Sequence, residues 1–83
     1  MFALKQKYIV TENDVMIVFS ELLEHSRFRS FNPISAGFIS IGAEDKYKPT
    51  IQCYGESVSL DIKSREEEDT MLAKRQILGD IEY

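Results

Sequence analysis

The stretch Thr50-Ile51-Gln52-Cys53-Tyr54-Gly55-Glu56-Ser57-Val58-Ser59-Leu60-Asp61-Ile62 decides how this chain is read. Apolar and polar residues alternate on both sides of Gly55-Glu56, the period of a half-buried strand. Gly55-Glu56 suits a two-residue type II′ turn, which takes glycine first. That turn sets Tyr54 opposite Ser57, Cys53 opposite Val58, Gln52 opposite Ser59 and Ile51 opposite Leu60. Ile51, Cys53, Val58 and Leu60 then share one apolar face, and a slip of one residue would mix polar with apolar. An antiparallel sheet is therefore the organising element.

Upstream, the run Ile34 to Ile41 has strand character, with Gly37 allowing a bulge or a close approach. Joined at matching parity, it adds Ile39 and Ile41 to the core face. Phe38, Ser40, Gln52, Tyr54, Ser57 and Ser59 fall on the other face. Gly42 to Pro49 is a polar, exposed connection. The first strand is Lys7-Tyr8-Ile9-Val10, followed by turn chemistry at Thr11-Glu12-Asn13-Asp14 and a second strand at Val15 to Phe19. A turn of two or four residues puts Tyr8, Val10, Val15, Ile17 and Phe19 on one face. Ile9, Thr11, Met16 and Val18 then share the other. The rival is a helix capped by Asp14 with Val15, Phe19, Leu22 and Leu23 on one side. Three β-branched residues between Val15 and Phe19 favour the strand. Ser20 then caps a short helix ending near Phe28, and Arg29 to Pro33 is loop, since a residue before proline avoids helix.

At the C-terminal end, Ser64-Arg65-Glu66-Glu67 has the pattern of a capping box. Acids from Glu66 to Asp69 and cations at Lys74 and Arg75 complement the helix dipole. Met71, Ala73, Ile77 and Leu78 form the apolar stripe, and Gly79 is a natural stop. The predicted fold is α+β in a single domain over residues 1–83. It has an antiparallel sheet of about four or five strands, a short helix near 20–28 and a C-terminal helix near 65–78.

Composition is globular, at 43% hydrophobic and 29% charged residues. A net charge of −4 argues against phosphate-backbone binding, which draws on clustered Lys and Arg. Arg27, Arg29 and His25 are too small a cluster to reverse that, so no nucleic-acid partner is expected. No run approaches the ~18 apolar residues of a membrane span. Phe2-Ala3-Leu4 precedes Lys5-Gln6-Lys7, the reverse of a secretory signal's order, so the expected location is the cytoplasm. Cys53, the single cysteine, reads as a buried core residue.

Candidate chemistry is thin. Consecutive acids Glu66 to Asp69 point about 100° apart on a helix and cannot converge on one ion. His25-Ser26-Arg27 offers an acid–base group, a hydroxyl and a cation, enough for a small hydrolase or nuclease using His25 and Arg27. No second histidine supports it, and a surface or helix-end histidine is the plainer reading. Ser57 and Ser59 lack a base to activate them. Phosphate-loop, dinucleotide, CxxC and HExxH patterns are missing, so no cofactor, metal or catalytic residue is assigned.

The strings Ser35-Ala36-Gly37-Phe38-Ile39-Ser40-Ile41, Cys53-Tyr54-Gly55, Ser57-Val58-Ser59-Leu60 and Ser64-Arg65-Glu66-Glu67 together resemble a group of short proteins of bacteriophages, prophages and related bacterial mobile elements. That group has no assigned activity. The resemblance implies a bacterial or phage setting and a small accessory role. The expected function is a non-enzymatic accessory or interaction protein. The alternatives are the His25/Arg27 hydrolase and an acidic mimic of nucleic acid, which needs its acids on one face.

A helix of about nine residues is only ~13 Å long, too short to roof four or five strands spaced ~4.8 Å apart. Apolar surface should therefore remain for a protein partner or a homodimer. Phe38 and Tyr54, with Met16 and Val18, are its candidate residues.

Overall fold

The computed structural model describes residues 2–43, 49–77 and 79. The fold is α+β. Strands β1 (Phe2–Thr11), β2 (Met16–Phe19), β3 (Pro33–Ala43) and β4 (Pro49–Tyr54) form one antiparallel sheet in the order β2-β1-β3-β4. A 3-10 helix covers His25–Phe31, a two-stranded sheet pairs β5 (Glu56–Ser57) with β6 (Ile62–Lys63), and α1 spans Glu66–Ile77. No helix among the described residues is long and apolar enough to cross a membrane.

Pairing β1 with both β2 and β3 makes it central, so its two faces must both be covered. Tyr8, Val10, Met16, Ile39, Ile51 and Cys53 pack under Ala73 and Leu72 of α1. On the other face Ile9, Phe19 and Ala36 pack with Leu23, Phe28, Leu60 and Ile62, supplied by the 3-10 helix and the turn before it and by the small sheet and the turn between its strands.

The second hairpin departs from its predicted register. Residues 51–54 do not pair with 57–60; β4 is an edge strand, the chain leaves it at Gly55, whose φ is 78°, and Ser57 pairs with Ile62 instead. Ser57 Oγ accepts the Leu60 N–H at 3.2 Å, and Asp61 adopts a left-handed φ of 56°. These local bonds close a turn over Val58 to Asp61 in place of a strand. Val58 is consequently 87% exposed, and Leu60 is buried on the opposite face from Ile51 and Cys53. Ile39, Ile41, Ile51 and Cys53 do share one face as predicted, and Phe38 lies opposite Tyr54.

The first hairpin is a strand pair, not a helix, but its parity is the reverse of the one predicted. Thr11 N–H donates to Val15 O at 2.9 Å, leaving a three-residue loop, Glu12-Asn13-Asp14, with Asp14 left-handed at φ 59°. An odd loop shifts the register by one. Tyr8 faces Val18 and Val10 faces Met16, so these four share the α1 side, while Ile9 and Ile17 lie opposite. β1 is also longer than Lys7 to Val10, because β3 pairs with it from Phe2 to Thr11.

The short helix begins later than Ser20. The Ser20 hydroxyl and carbonyl accept Leu22 and Leu23 N–H in a local turn, and the 3-10 helix starts at His25, is kinked at Phe28 and ends at Phe31, in part of the stretch predicted as loop. The polar connection predicted over Gly42 to Pro49 is shorter at both ends, with strand as far as Ala43 and again from Pro49. Residues 44–48 lie outside the described residues, as does Leu78.

α1 is rotated from its predicted stripe. Met71 and Ile77 are exposed at 59% and 41%, whereas Asp69 and Ala73 are fully buried. The positions turned to the sheet, buried Asp69 and Ala73 with half-buried Leu72, and Gln76 at the exposed rim, keep helical spacing but mix polar with apolar.

Candidate functional site

Under the first turn of α1 lies a closed polar cluster. Asp69 accepts Tyr8 Oη–H at 2.6 Å, the Ser35 hydroxyl, and the Arg65 backbone N–H at 3.0 Å. Arg65 Nε and Nη2 complete the set at 3.1 and 3.0 Å. Tyr8 Oη also bonds Ser64 Oγ. The predicted capping box is thus not the bond that forms, because Ser64 turns to Tyr8 and Asp69 reaches back to Arg65 while Glu67 stays exposed. Tyr8, Ser35 and Asp69 are each fully buried, and no buried polar side-chain atom among the described residues lacks a partner. Burial and the neighbouring Asp69 carboxylate raise the Tyr8 phenol far above its ordinary range. A hydroxyl held protonated and out of water serves as a structural donor, so the cluster fastens α1 to β1 and β3. Nearby Cys53 is fully buried and its thiol is pushed up to about 11 by burial, which leaves it unreactive at neutral pH.

The opposite face carries the candidate site. Pairing aligns Phe19, Lys7, Phe38 and Tyr54 in one row across all four strands. Phe38 and Tyr54 stack with centroids 5.9 Å apart, and Lys5 Nζ sits 4.8 Å above the Phe38 ring. Lys7 is turned aside, its Nζ donating to Leu23 O at 2.8 Å. His25 fills the space above Lys7, edge-on to Phe19 at 5.5 Å and to Phe38 at 5.9 Å. Its Nε2–H donates to Gly37 O at 2.8 Å, which fixes the tautomer. Burial lowers the His25 pKa, Lys7 adds to the effect and the Gly37 bond opposes it.

A groove of about 370 Å³ runs over this row, lined by Lys7, Glu24, His25, Phe38, Glu56, Val58 and Ser59. Arg29 Nη2 donates to Ser59 O at 3.1 Å and ties the 3-10 helix to the turn that carries Val58. Among the described residues, Leu22, at 90% exposure, and Val58 are the most exposed large apolar side chains. Beyond Phe38 and Tyr54 the same face continues through Lys5, Thr50 and Gln52, which remain exposed. The described residues include no group of three or more His, Cys, Asp or Glu placed to hold a metal.

Of the residues singled out from sequence, Phe38 and Tyr54 come together as predicted. Met16 and Val18 do not join them, because the odd loop puts both on the α1 side, where Met16 is buried and Val18 packs against the core. His25 is buried in the aromatic row, while Arg27 is exposed and does not line the groove. Exposed acids lie at Glu12, Glu21, Glu56 and Asp61 as well as along α1, on several elements rather than one. Residues missed by sequence reasoning are Lys5, Lys7, Val58 and the Tyr8–Ser35–Asp69 cluster. Only Arg65 and Asp69, at i and i+4, left a readable signal. No protein-family model matches the chain, and neither a curated protein nor a solved structure matches it.

Proposed function

We propose that this chain is a non-enzymatic interaction module that engages a protein partner, or a second copy, through the aromatic face of its sheet. The observation that carries the reading is the Phe38–Tyr54 stack, half-buried beside a groove whose rim holds a nearly free Val58. A strained loop or a buried core requires no apolar side chain at Val58. A partner does, since stacked aromatics set beside exposed aliphatic residues are the usual anchors of protein interfaces. A bacterial or phage accessory role, as the sequence resemblance implies, is compatible with that reading.

The test compares wild type with Tyr54→Asp, which places a charge on the stack without touching the core. Immobilised wild type should retain a protein that Tyr54→Asp loses, and sedimentation of each alone shows whether the retained protein is a second copy. Equal retention by both would remove this face from the interface.

A further inference from the structure

The face of α1 turned away from the sheet is covered by no described residue of the chain. Helical spacing puts Glu67, Glu68, Met71, Lys74 and Arg75 on that side, and all five are exposed. Met71, at 59% exposure, stands on its midline. A groove of about 260 Å³ runs along the Glu68–Arg75 flank and one of about 520 Å³ along the Glu67–Thr70 flank, and Met71 lines both as the ridge between them. Among the described residues, both ion pairs of α1 belong to Arg65, with Glu68 and Asp69, so Glu67, Lys74 and Arg75 have no carboxylate or cation of their own chain to pair with.

We infer that this face pairs α1 with the α1 of a second copy of the chain, antiparallel, across a two-fold axis at Met71. The charges argue the occupant. Seen down the helix, Glu67 and Lys74 lie on one flank of Met71, and Glu68 and Arg75 lie on the other. Both acids precede Met71 and both bases follow it, at matching separations. A two-fold axis perpendicular to α1 keeps each flank and reverses the helix direction. It therefore sets Glu67 against Lys74 of the second copy, Glu68 against Arg75, and Met71 against Met71. A parallel arrangement would instead bring Glu67 beside Glu67 and Lys74 beside Lys74. The helix dipole accounts for acids at the start and bases at the end. It asks neither for an exposed methionine midway between them nor for an acid and a base on each flank of it. The grooves beside Met71 give the second helix's side chains room to interdigitate, and an unbranched thioether packs readily at such a crossing. This inference does not rest on the aromatic face, which lies across the sheet from α1 and stays open in such a dimer.

Sedimentation equilibrium on the whole chain reads the association. Wild type should form a dimer, and Met71→Asp, which puts two carboxylates on the axis, should weaken it roughly tenfold or more. Glu67→Lys alone sets lysine against lysine, and Lys74→Glu alone sets glutamate against glutamate, so each should weaken the dimer as well. The double variant Glu67→Lys with Lys74→Glu restores opposite charges across the axis and should return association close to the wild-type level. That same variant opposes the helix dipole, so its unfolding midpoint should fall slightly while its dimer recovers, which separates pairing between copies from stability within one. The substituted positions are exposed, and circular dichroism checks that each variant keeps its fold. A wild type that stays monomeric at its highest soluble concentration overturns the inference. So does a dimer indifferent to Met71→Asp, or a loss in the single variants that the double variant does not rescue. Tyr54→Asp should leave this dimer intact; a dimer lost in Tyr54→Asp and kept in Met71→Asp belongs to the aromatic face and overturns the inference too.

Discussion

On the α1 side of the sheet a buried carboxylate organises the packing, whereas on the opposite side a row of rings does. The two arrangements respond differently to change. Asp69 has five partner atoms on three residues at one point, so each partner depends on all the others. The Phe19–His25–Phe38–Tyr54 row is joined by pairwise contacts of similar kind, and losing one leaves the next in place. Directional bonds fix one docking of α1. Ring contacts leave a surface that can accommodate a visitor, which is where the proposed interface lies.

The sharpest way to break this comparison is Asp69→Ala. It would take the shared acceptor from the Tyr8 and Ser35 hydroxyls and the Arg65 N–H, leaving them only their weaker links to Ser64, Lys63 O and each other, and removing one partner of a buried charged pair costs ~3–5 kcal/mol. In a domain of this size that is a large share of the total stability. The expected outcome is loss of the cooperative unfolding transition, or a midpoint moved most of the way to zero denaturant. Tyr54→Asp, at the half-buried ring, should leave the midpoint close to that of wild type.

Gly37→Ala comes next. A Cβ there would lie 2.5 Å from the Tyr54 carbonyl oxygen and 3.1 Å from Ser64 Cβ, on the side where α1 is fastened. The first neighbour is backbone and cannot swing away, so the expected cost is that of an overpacked core, ~1–3 kcal/mol. A stability unchanged within error would show that β3 and the chain at Tyr54 are free to separate.

Ser64→Ala separates the observed cluster from a capping box. Loss of the bond to Tyr8 should cost ~1 kcal/mol. Tyr8→Phe on top of it should cost less than the sum of the two single changes. Glu67→Ala, which a capping box would make costly, should stay within ~0.5 kcal/mol of wild type. A full cost at Glu67 with additive behaviour at Ser64 and Tyr8 would restore the box.

The same comparison explains what was legible in the sequence. Strands over 34–41 and 50–54, the face shared by Ile39, Ile41, Ile51 and Cys53 and the Phe38–Tyr54 pair follow from periodicity, which records one-sided burial, whereas the C-terminal helix was legible from the charges at its two ends and its buried stripe was not. The parity of the first hairpin turned on whether Asp14 would enter the left-handed region, a choice open to Asp and visible only in the folded chain. Residues 57–61 alternate like a strand, yet the Ser57 hydroxyl offers Leu60 N–H a closer partner than a neighbouring strand would. Asp69 was hidden in an acidic run that reads as solvated. Its burial depends on Tyr8, 61 residues away, and no local pattern reports a contact of that separation.

The smallest effect expected at neutral pH belongs to His25, and it tests whether the aromatic side is closed at that point. Burial holds the folded-state pKa below the ordinary value of about 6.5, so the unfolded chain binds the proton more readily. Stability contributed by neutral His25 is complete above the unfolded pKa and is lost as pH falls from ~6.5 toward the folded value. One proton limits the slope to ~1.4 kcal/mol per pH unit. Lys7 beside the ring sharpens the loss, since its charge also resists a second cation between Phe19 and Phe38. His25→Gln keeps a side-chain amide that can donate to Gly37 O but cannot be protonated in this range. Denaturant midpoints measured from pH 7.5 down to 5.5 should fall for wild type and stay nearly level for His25→Gln. Parallel curves would mean that the His25 ring takes up its proton without leaving the row, and that this side of the sheet is as open to water at its centre as it is at Lys5 and Gln52.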